Sequence, residues 1–382
     1  MSNTTEHIYL DYNATAPLRP EVKKYIENTL SDFGNPSSTH AYGRMAREKV
    51  DIARDDLAIA LGALPEQVIF TSGGTEANML AILGGNYDTH LVSSVCHPSI
   101  MKAKEDSLWI PVDDHGLIEI DYLESMLEKA SGKTLVSIAL VNNETGVIQD
   151  ISTIIDILKK YNALLHIDAV QAFGKIPLNF STLAVDFMSI SAHKVGGCHG
   201  AGALIVKDKS IIRPLQRGGG QEFGYRSGTE NVMAIGALGQ LAKNIETLIA
   251  EQVNLAKLRD DMECQIKEIT QGCQGNDQKT LFIGQDVTRV ANTSNLTMPG
   301  VDAYQQLMHF DLNNIAVSPG SACSSGKVAV SHILQALGIK EKIARTAIRV
   351  SLGWNTRKNE IEKFILCWKQ LYDAQHNKKK VA

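Results

Sequence analysis

Residues 186–194 read Asp-Phe-Met-Ser-Ile-Ser-Ala-His-Lys and run into the glycine-rich segment Gly196-Gly-Cys-His-Gly200. The mostly apolar run at 187–191 predicts a buried strand, which leaves Lys194 just beyond its end. A lysine there either extends its amine to solvent or has a chemical task. Beside a serine and a histidine, such an amine can form a Schiff base with an aldehyde cofactor. Four further segments favour the second interpretation.

The composition is that of an ordinary globular protein. Of the 382 residues, 44% are hydrophobic and 21% are charged, and the formal net charge is −4. This balance leaves no basic excess for nucleic acid, and no apolar run approaches the ~20 residues that a membrane-spanning helix requires. The polar start, Met1 to His7, resembles neither a signal peptide nor a presequence. We therefore expect a cytoplasmic protein without nucleic-acid or membrane partners.

The cysteines are scattered and form no C-x-x-C pair, which argues against a disulfide framework and a structural zinc site. We expect reduced thiols and no resident metal, while one catalytic thiol stays open. The six are Cys96, Cys198, Cys264, Cys273, Cys323 and Cys367.

Short apolar runs alternate with helix-length stretches before about residue 236. This alternation predicts right-handed βαβ units, and hence an α/β fold with a mostly parallel sheet flanked by helices. The predicted strands are Val68–Thr71, Thr89–Ser93, Leu135–Val141, Leu164–Ile167, Phe187–Ser191 and Ala203–Val206. The clearest helices between them are Thr75–Leu83, Ser99–Ser107 and Ile151–Tyr161.

The pattern then changes to one long helix followed by shorter elements, which predicts a smaller α+β domain. No low-complexity linker separates the two parts, so we expect them to pack closely. The predicted helices are Ala234–Gln271, Asp302–His309, Ser331–Leu337 and Arg357–Tyr372, and the strands are Thr280–Phe282, Ser294–Met298 and Ile315–Val317.

The segment Ser72-Gly-Gly-Thr-Glu76 follows a predicted strand and opens a helix. Two glycines free the backbone to wrap an anion, and the helix N-terminus favours a phosphate. Thr75 could add a hydroxyl donor. An ordinary turn is the alternative.

Asp168 ends a buried strand, at the place where open α/β sheets bind ligands. A buried carboxylate needs a cationic or donor partner, and a protonated pyridine nitrogen is such a partner. The alternative is an aspartate that caps the next helix. Gln171, three residues on, could donate to a ring oxygen.

Two other strand ends carry polar side chains. Of Asn142 and Asn143, one can face the ligand crevice while the other shapes the turn. His97 ends a further strand, where it can stack on a flat ring or move protons. A buried histidine with satisfied hydrogen bonds is the alternative.

Residues 318–326, Ser-Pro-Gly-Ser-Ala-Cys-Ser-Ser-Gly, have the composition of a mobile, surface-reaching loop. Cys367 instead lies in the apolar run Phe-Ile-Leu-Cys-Trp, as a structural cysteine would. Cys323 is therefore the thiol whose neighbours indicate exposure and reactivity.

Taken together, these strand-end motifs and their order resemble the fold-type I pyridoxal-phosphate enzymes. Within that group, the chain resembles the cysteine desulfurases of the NifS/IscS class from about residue 8 to residue 370. The matching motifs are Tyr9-Leu-Asp-Tyr-Asn-Ala-Thr15, Gly34-Asn-Pro-Ser-Ser38, Ser191-Ala-His-Lys194, Arg226-Ser-Gly-Thr-Glu-Asn231, Gly320-Ser-Ala-Cys323 and Ile348-Arg-Val-Ser-Leu-Gly353.

The resemblance implies a fold-type I architecture with a seven-stranded sheet. It implies a large cofactor-binding domain at residues 14–247. Residues 1–13 and 248–382 would form the small domain, with a mobile cysteine loop at about 318–330.

The resemblance also implies pyridoxal 5'-phosphate bound to Lys194, with Lys194, Cys323 and His97 as catalytic residues. The cofactor contacts it implies are Gly74, Thr75, His97, Asn143, Asp168, Gln171, Ser191, His193, Lys194 and Thr229, the last from the partner subunit of a homodimer. The substrate carboxylate would be held by Asn35, Asn143 and Arg349, whose guanidinium fits a carboxylate bidentately.

The implied reaction converts L-cysteine to L-alanine and leaves the sulfur on Cys323 as a persulfide. The implied partner is a sulfur-acceptor or iron–sulfur scaffold protein, and a transient iron–sulfur cluster is a further candidate ligand of Cys323. Because the chain ends at Ala382, soon after its last predicted helix, we expect only a short tail for docking a scaffold.

Two alternatives stay open at this stage. One is a selenocysteine lyase, a carbon–sulfur β-lyase or a small aminotransferase on the same site. The other is a catalytically silent binding subunit that kept the fold, since a fold does not by itself choose a reaction.

Overall fold

The computed structural model describes residues 7–270, 279–320 and 330–381. The predicted nucleophile Cys323 and most of its loop lie outside the described residues, as does Cys273. Within the described part of the chain, no helix is both long and apolar enough to cross a bilayer.

Strands and helices alternate along the chain. The strands are β1 (Ile8–Tyr9), β2 (Val68–Thr71), β3 (Thr89–Ser93), β4 (Leu108–Ile110), β5 (Thr134–Ala139), β6 (Leu164–Asp168), β7 (Phe187–Ser191), β8 (Gly202–Val206), β9 (Phe282–Ile283), β10 (Thr293–Thr297), β11 (Ile315–Ala316), β12 (Ser318–Pro319) and β13 (Ala347–Ser351). The helices are α1 (Pro20–Thr29), α2 (Ala41–Leu61), α3 (Gly74–Gly84), α4 (Pro98–Met101), α5 (Ile120–Lys129), α6 (Ile151–Lys160), α7 (Phe180–Leu183), α8 (Val232–Lys243), α9 (Ile245–Thr270), α10 (Ala303–Leu312), α11 (His332–Ala336), α12 (Glu341–Ala344) and α13 (Lys358–Val381).

The central sheet has seven strands in the order β2-β8-β7-β6-β5-β3-β4. The pairs from β7 to β4 are parallel, and β8 runs antiparallel to both of its neighbours. Helices cover both faces, so that every residue of β5 and β7 is buried. The predicted α/β class and the mostly parallel sheet are confirmed.

The predicted helix at Ser99–Ser107 is wrong beyond Met101, where α4 ends. The chain then forms β4, which pairs in parallel with β3 at the edge of the sheet. Leu108 and Trp109 of β4 are exposed. An edge strand with an exposed apolar pair lacks the burial pattern that would have predicted it.

The predicted single helix over Ala234–Gln271 is also wrong, because it breaks at Asn244 between α8 and α9. The Asn244 N–H donates to the Leu241 carbonyl, and its side-chain amide donates to the Gln240 carbonyl at 2.7 Å. A short polar side chain that bonds to the backbone in this way competes with the helical ladder.

Apolar side chains form two main cores, and α9 joins them. Leu248 packs into the core beneath the seven-stranded sheet, whereas Leu255 belongs to the second core. That second core lies against the antiparallel sheet β12-β13-β10-β9 and also takes Ile8 and Leu10 from the start of the described chain. The domain limits given above stay a prediction.

A buried chain of serine and histidine side chains crosses the central sheet. His90 of β3 bonds to Ser107 and to Ser137 of β5, each at 2.9 Å. Ser137 bonds to His166 of β6 at 3.2 Å, and His166 bonds to Ser189 of β7 at 3.0 Å. Burial lowers the pKa of His90 to about 4 and the pKa of His166 to about 3. Both rings are therefore neutral at pH 7.

We predict that acid destabilises the fold through these two rings. A histidine in the unfolded chain titrates near 6.5, so below that pH the unfolded state binds more protons than the folded state. The free energy of unfolding therefore falls as the pH drops from 6.5 toward the lower pKa values of the folded rings. At pH 5 the free energy of unfolding should be lower than at pH 8 by on the order of 2 kcal/mol for each ring. Urea denaturation at both pH values measures this loss.

The double variant His90→Asn/His166→Asn should lose much of this pH dependence. The control His115→Asn, which alters a histidine with a half-exposed side chain, should keep it. An unchanged difference between pH 8 and pH 5 in the double variant would contradict the assignment.

Candidate active site

A cavity of about 390 Å³ lies at the carboxyl ends of β5, β6 and β7, where parallel sheets present polar side chains to ligands. Arg349 of β13 and Ser318 of β12 contribute to the same wall. The structure places ten of the predicted site residues in this lining: Gly74, Thr75, His97, Asn143, Asp168, Gln171, Ser191, His193, Lys194 and Arg349.

Two predicted site residues do not line this cavity. Asn35 is exposed, and its side-chain oxygen accepts from the Ser37 N–H at 2.9 Å. Thr229 is also exposed. Cys323 lies outside the described residues. Within the described ranges, no group of three or more histidine, cysteine, aspartate or glutamate residues is placed to hold a metal ion.

Lys194 sits in a 3₁₀ turn, Ala192–Val195, that directly follows β7. Its Nζ donates to the carbonyl oxygens of Asn13 at 2.9 Å and Ala14 at 2.8 Å. Burial, together with Arg349, lowers the pKa of Lys194 to about 8, against the opposing effect of two carboxylates. A sizeable neutral fraction near pH 7.5 makes this amine a competent nucleophile and base.

Asp168 occupies the last position of β6 and is buried. One carboxylate oxygen accepts from the Asn78 side-chain amide and the other from the Val170 N–H, both at 2.9 Å. Burial raises the pKa of Asp168, and these donors oppose that rise. A cationic partner in the cavity would favour the charged carboxylate.

His97 is the N-cap residue of α4, which fixes its ring at the cavity. Its Nδ1 accepts from the Ser99 N–H at 3.1 Å. Burial lowers the pKa of His97, with Lys194 and His332 acting in the same direction and Asp168 against them. With Nδ1 accepting, the neutral ring carries its proton on Nε2, which is left to donate to a ligand.

The N-terminus of α3 forms an anion pocket. Gly73 has φ +156°, and a Cβ on Gly74 would lie 2.6 Å from the Val170 side chain. Glycine therefore lets the backbone approach Val170 without a steric clash. Ser191 and Thr75 line the same wall. The free amides of the helix N-terminus and these hydroxyls favour a phosphate.

His193, which also lines the cavity, is neutral. Its Nδ1 bonds to the Thr15 hydroxyl at 3.2 Å. Burial lowers the pKa of His193 to about 4, with Lys194 acting in the same direction. The ring can therefore donate a hydrogen bond but brings no charge to the anion pocket.

Arg349 is held from two sides. Its Nη2 donates to Asp11 at 2.7 Å and its Nη1 to the Asn143 carbonyl at 3.0 Å. Its Nε is buried and has no hydrogen-bond partner within the described residues. A guanidinium with a donor to spare can accept one more anionic ligand.

The two adjacent asparagines have different tasks. The Asn142 side chain accepts from the N–H groups of Glu144 and Thr145 and donates to the Val95 carbonyl, so it shapes the turn. Asn143 lines the cavity.

Sequence reasoning missed four residues that organise the site, namely Asp11, Asn13, Asn78 and Lys175. Asp11 and Asn13 lie within the motif at residues 9–15, where their polar side chains between apolar neighbours were a usable signal. Nothing local in the sequence marks Asn78 or Lys175.

These residues fit pyridoxal 5'-phosphate. The α3 N-terminus with Thr75, Ser191 and His193 would hold the phosphate, Asp168 would pair with the ring nitrogen, and Lys194 would bind the aldehyde carbon. The donor set supports this fit, because a buried carboxylate, a pocket of amides and an amine of lowered pKa converge on one cavity.

We predict that Asp11→Asn lowers the pKa of Lys194 further, by roughly half a unit, because the Asp11 carboxylate stabilises the ammonium form. The measurement is competitive acylation of Lys194 in cofactor-free protein as a function of pH, read by mass spectrometry. Asp156→Asn, which alters an exposed side chain, is the control. A pKa of Lys194 that stays or rises in Asp11→Asn would contradict the electrostatic assignment.

Comparisons with known proteins identify the family of this chain. A family model described as aminotransferase class-V matches residues 8–364. The chain is 38% identical to a cysteine desulfurase IscS of Dictyoglomus turgidum over 93% of this chain and 91% of that protein. It is 37% identical to a cysteine desulfurase of Trichormus azollae over 94% and 91%.

Solved structures give the same result. The structure of a NifS-like protein from Rickettsia africae is 38% identical, with a TM-score of 0.88, and the match covers 96% of this chain and all of that one. The chain belongs to the class-V aminotransferase family of pyridoxal-phosphate-dependent enzymes, among the relatives of the cysteine desulfurases.

Proposed function

We propose that this protein is a cysteine desulfurase that converts L-cysteine to L-alanine and transfers the sulfur through Cys323. The observation that carries the proposal is the convergence of Lys194, Asp168 and Arg349 on one cavity. The relatives named cysteine desulfurase, matched over nine tenths of the chain, support the choice of reaction.

Each residue has a task that follows from its surroundings. Arg349 binds the substrate carboxylate with its remaining N–H groups. The Lys194 amine removes and returns the α-proton, and His97 is placed to exchange a second proton. Pyridoxal phosphate, when bound, supplies an electron sink for the carbanion.

The sulfur step is balanced without an oxidant. The Cβ–Sγ bond of cysteine breaks, its sulfur forms a bond to the thiolate of Cys323, and a proton goes to the carbon that becomes the alanine methyl group. The products are alanine and a persulfide on Cys323, which donates sulfur to an acceptor.

The described chain on both sides of the cysteine segment supports this role. Ser318 lines the cavity, and the Gly320 N–H donates to the Ala347 carbonyl at 2.9 Å. On the far side, the Ser331 hydroxyl donates to the buried Glu144 at 2.6 Å, and His332 bonds to the Cys96 carbonyl at 3.1 Å. Cys323 is three residues from Gly320, a span of at most about 11 Å.

A homodimer is part of the proposal. Phe33, Tyr42 and Met45 expose half or more of their surface, and the rings of Phe33 and Tyr42 stack at 4.6 Å. A second copy would cover this apolar surface near Asn35. In that assembly Thr229 of the partner subunit would complete the anion pocket.

We also propose that the protein acts in the cytoplasm and passes its sulfur to a partner protein. Cys96, Cys198, Cys264 and Cys367 are free thiols, which a reducing compartment would keep reduced. A persulfide needs a protein or small-molecule thiol to receive its sulfur, and a scaffold for iron–sulfur cluster assembly is the acceptor we propose.

The test is turnover of L-cysteine by the purified holoenzyme with a thiol reductant, quantifying alanine and sulfide. Wild type should give equal amounts of both. Lys194→Ala should reduce both by at least about 10³-fold, because one group supplies both cofactor attachment and proton transfer. Cys323→Ser should keep the cofactor but lose sulfide and alanine formation.

Cys264→Ser, which changes an exposed thiol, is the matched control and should retain wild-type turnover. Formation of pyruvate in place of alanine would show that the protein is a β-lyase instead. Sulfide release at the wild-type rate by Cys323→Ser would contradict the assignment of Cys323 as the nucleophile.

A further inference from the structure

Lys175 is a buried lysine that the proposed chemistry does not use. It is 7% exposed, and its Nζ donates to the Gln171 side-chain oxygen at 2.6 Å and to the Asn13 side-chain oxygen at 2.8 Å. Burial, with Lys194 and Arg349 nearby, holds its pKa well below the ordinary value. Both of these hydrogen bonds use N–H groups of the Lys175 amine as donors.

These contacts select one orientation of the Gln171 amide. Lys175 donates an N–H to the amide oxygen. The amide nitrogen then donates one N–H to the Asn13 backbone carbonyl at 3.0 Å. The reverse orientation would set the amide oxygen against that carbonyl, acceptor against acceptor.

The second N–H of Gln171 is the one left for a ligand. Within the described chain it has no protein acceptor, and Gln171 lines the cavity beside Lys194 and Asp168. Pyridoxal phosphate carries an anionic ring oxygen next to its aldehyde carbon. An amide N–H stabilises that oxygen, whereas an amide oxygen in its place would repel it.

We propose that Lys175 is a positioning residue that locks the Gln171 amide so that its nitrogen, and not its oxygen, meets the ring oxygen of the cofactor. The inference rests on the proposed function only for the identity of that cofactor. A lysine that merely fills hydrogen bonds in the core would leave the electronic state of the cofactor unchanged.

The readout is therefore spectroscopic. A donor to the ring oxygen favours its anionic form, so loss of the donor raises the pH at which the visible absorption of the bound cofactor changes. A hydrogen bond to a charged group is strong enough to shift that midpoint by about one pH unit. Apart from Lys175 itself, the charged and titratable groups around the cavity are the same in every variant, and they are Lys194, Arg349, Asp11, Asp168, His97 and His193.

The experiment compares pH titrations of the absorption of the holoenzyme in wild type, Lys175→Met, Gln171→Leu and the double variant. Each single variant should raise the midpoint by about one unit. The double variant should move it no further than Gln171→Leu alone, because Lys175 acts only through the Gln171 hydrogen bond to the ring oxygen. Asn292→Leu is the matched control, since Asn292 donates to the same Asn13 oxygen at 3.0 Å but does not contact Gln171. It should titrate like wild type.

A wild-type midpoint in cofactor-loaded Lys175→Met, or an additive shift in the double variant, would overturn the inference. If Lys175→Met does not fold, Lys175→Gln replaces it. Its amide can present either end to Gln171 and so selects no orientation, and an unshifted midpoint in that variant would also overturn the inference. Failure of wild type to bind pyridoxal phosphate would instead refute the proposed function.

Discussion

Asn13 is the junction on which the site depends, because its backbone and side chain bond to both halves of the molecule. Its carbonyl accepts from Lys194 and Gln171, and its side-chain oxygen accepts from Lys175 and Asn292. Its side-chain nitrogen donates to Thr293 of β10 at 2.8 Å. A cavity filled with polar groups is stable only when those groups are satisfied, and one buried asparagine satisfies several at once.

The electrostatics of the cavity follow from that burial. Two lysines and an arginine share a small volume with two carboxylates, Asp168 and Asp11, and burial pushes the lysine pKa values down. Lys194 keeps a pKa of about 8, which suits an amine that must act as both nucleophile and base. Burial also holds the pKa of Lys175 well below its ordinary value, and its hydrogen bonds to Asn13 and Gln171 leave it a structural task. The two lysines therefore have different roles because their hydrogen-bond partners and charged neighbours differ.

The sequence predicts the wall of the cavity well, for a physical reason. Parallel strands end at one edge, so polar residues at or beyond the ends of the strands, such as Asp168, Ser191 and Asn143, fall in the same place. The role of Lys175 could not be predicted in this way, because it arises from contacts with Asn13 and Gln171. Asn13 lies far from Lys175 in the sequence, so no local pattern links the two residues.

Other differences have similar causes. Asn35 and Thr229 were predicted only from the family resemblance, and both lie away from the cavity in this chain. β4 was missed because it is an exposed edge strand. The break at Asn244 depends on one side-chain hydrogen bond within otherwise continuous helical spacing.

The proposed function requires that sulfur from cysteine passes to one cysteine of this chain. The most direct measurement is peptide mapping by mass spectrometry after a single turnover with L-cysteine carrying a heavy sulfur isotope. One heavy sulfur atom is expected on the peptide containing Cys323. Heavy sulfur on the peptide containing Cys198 or Cys264, or alanine formed without any labelled peptide, would contradict it.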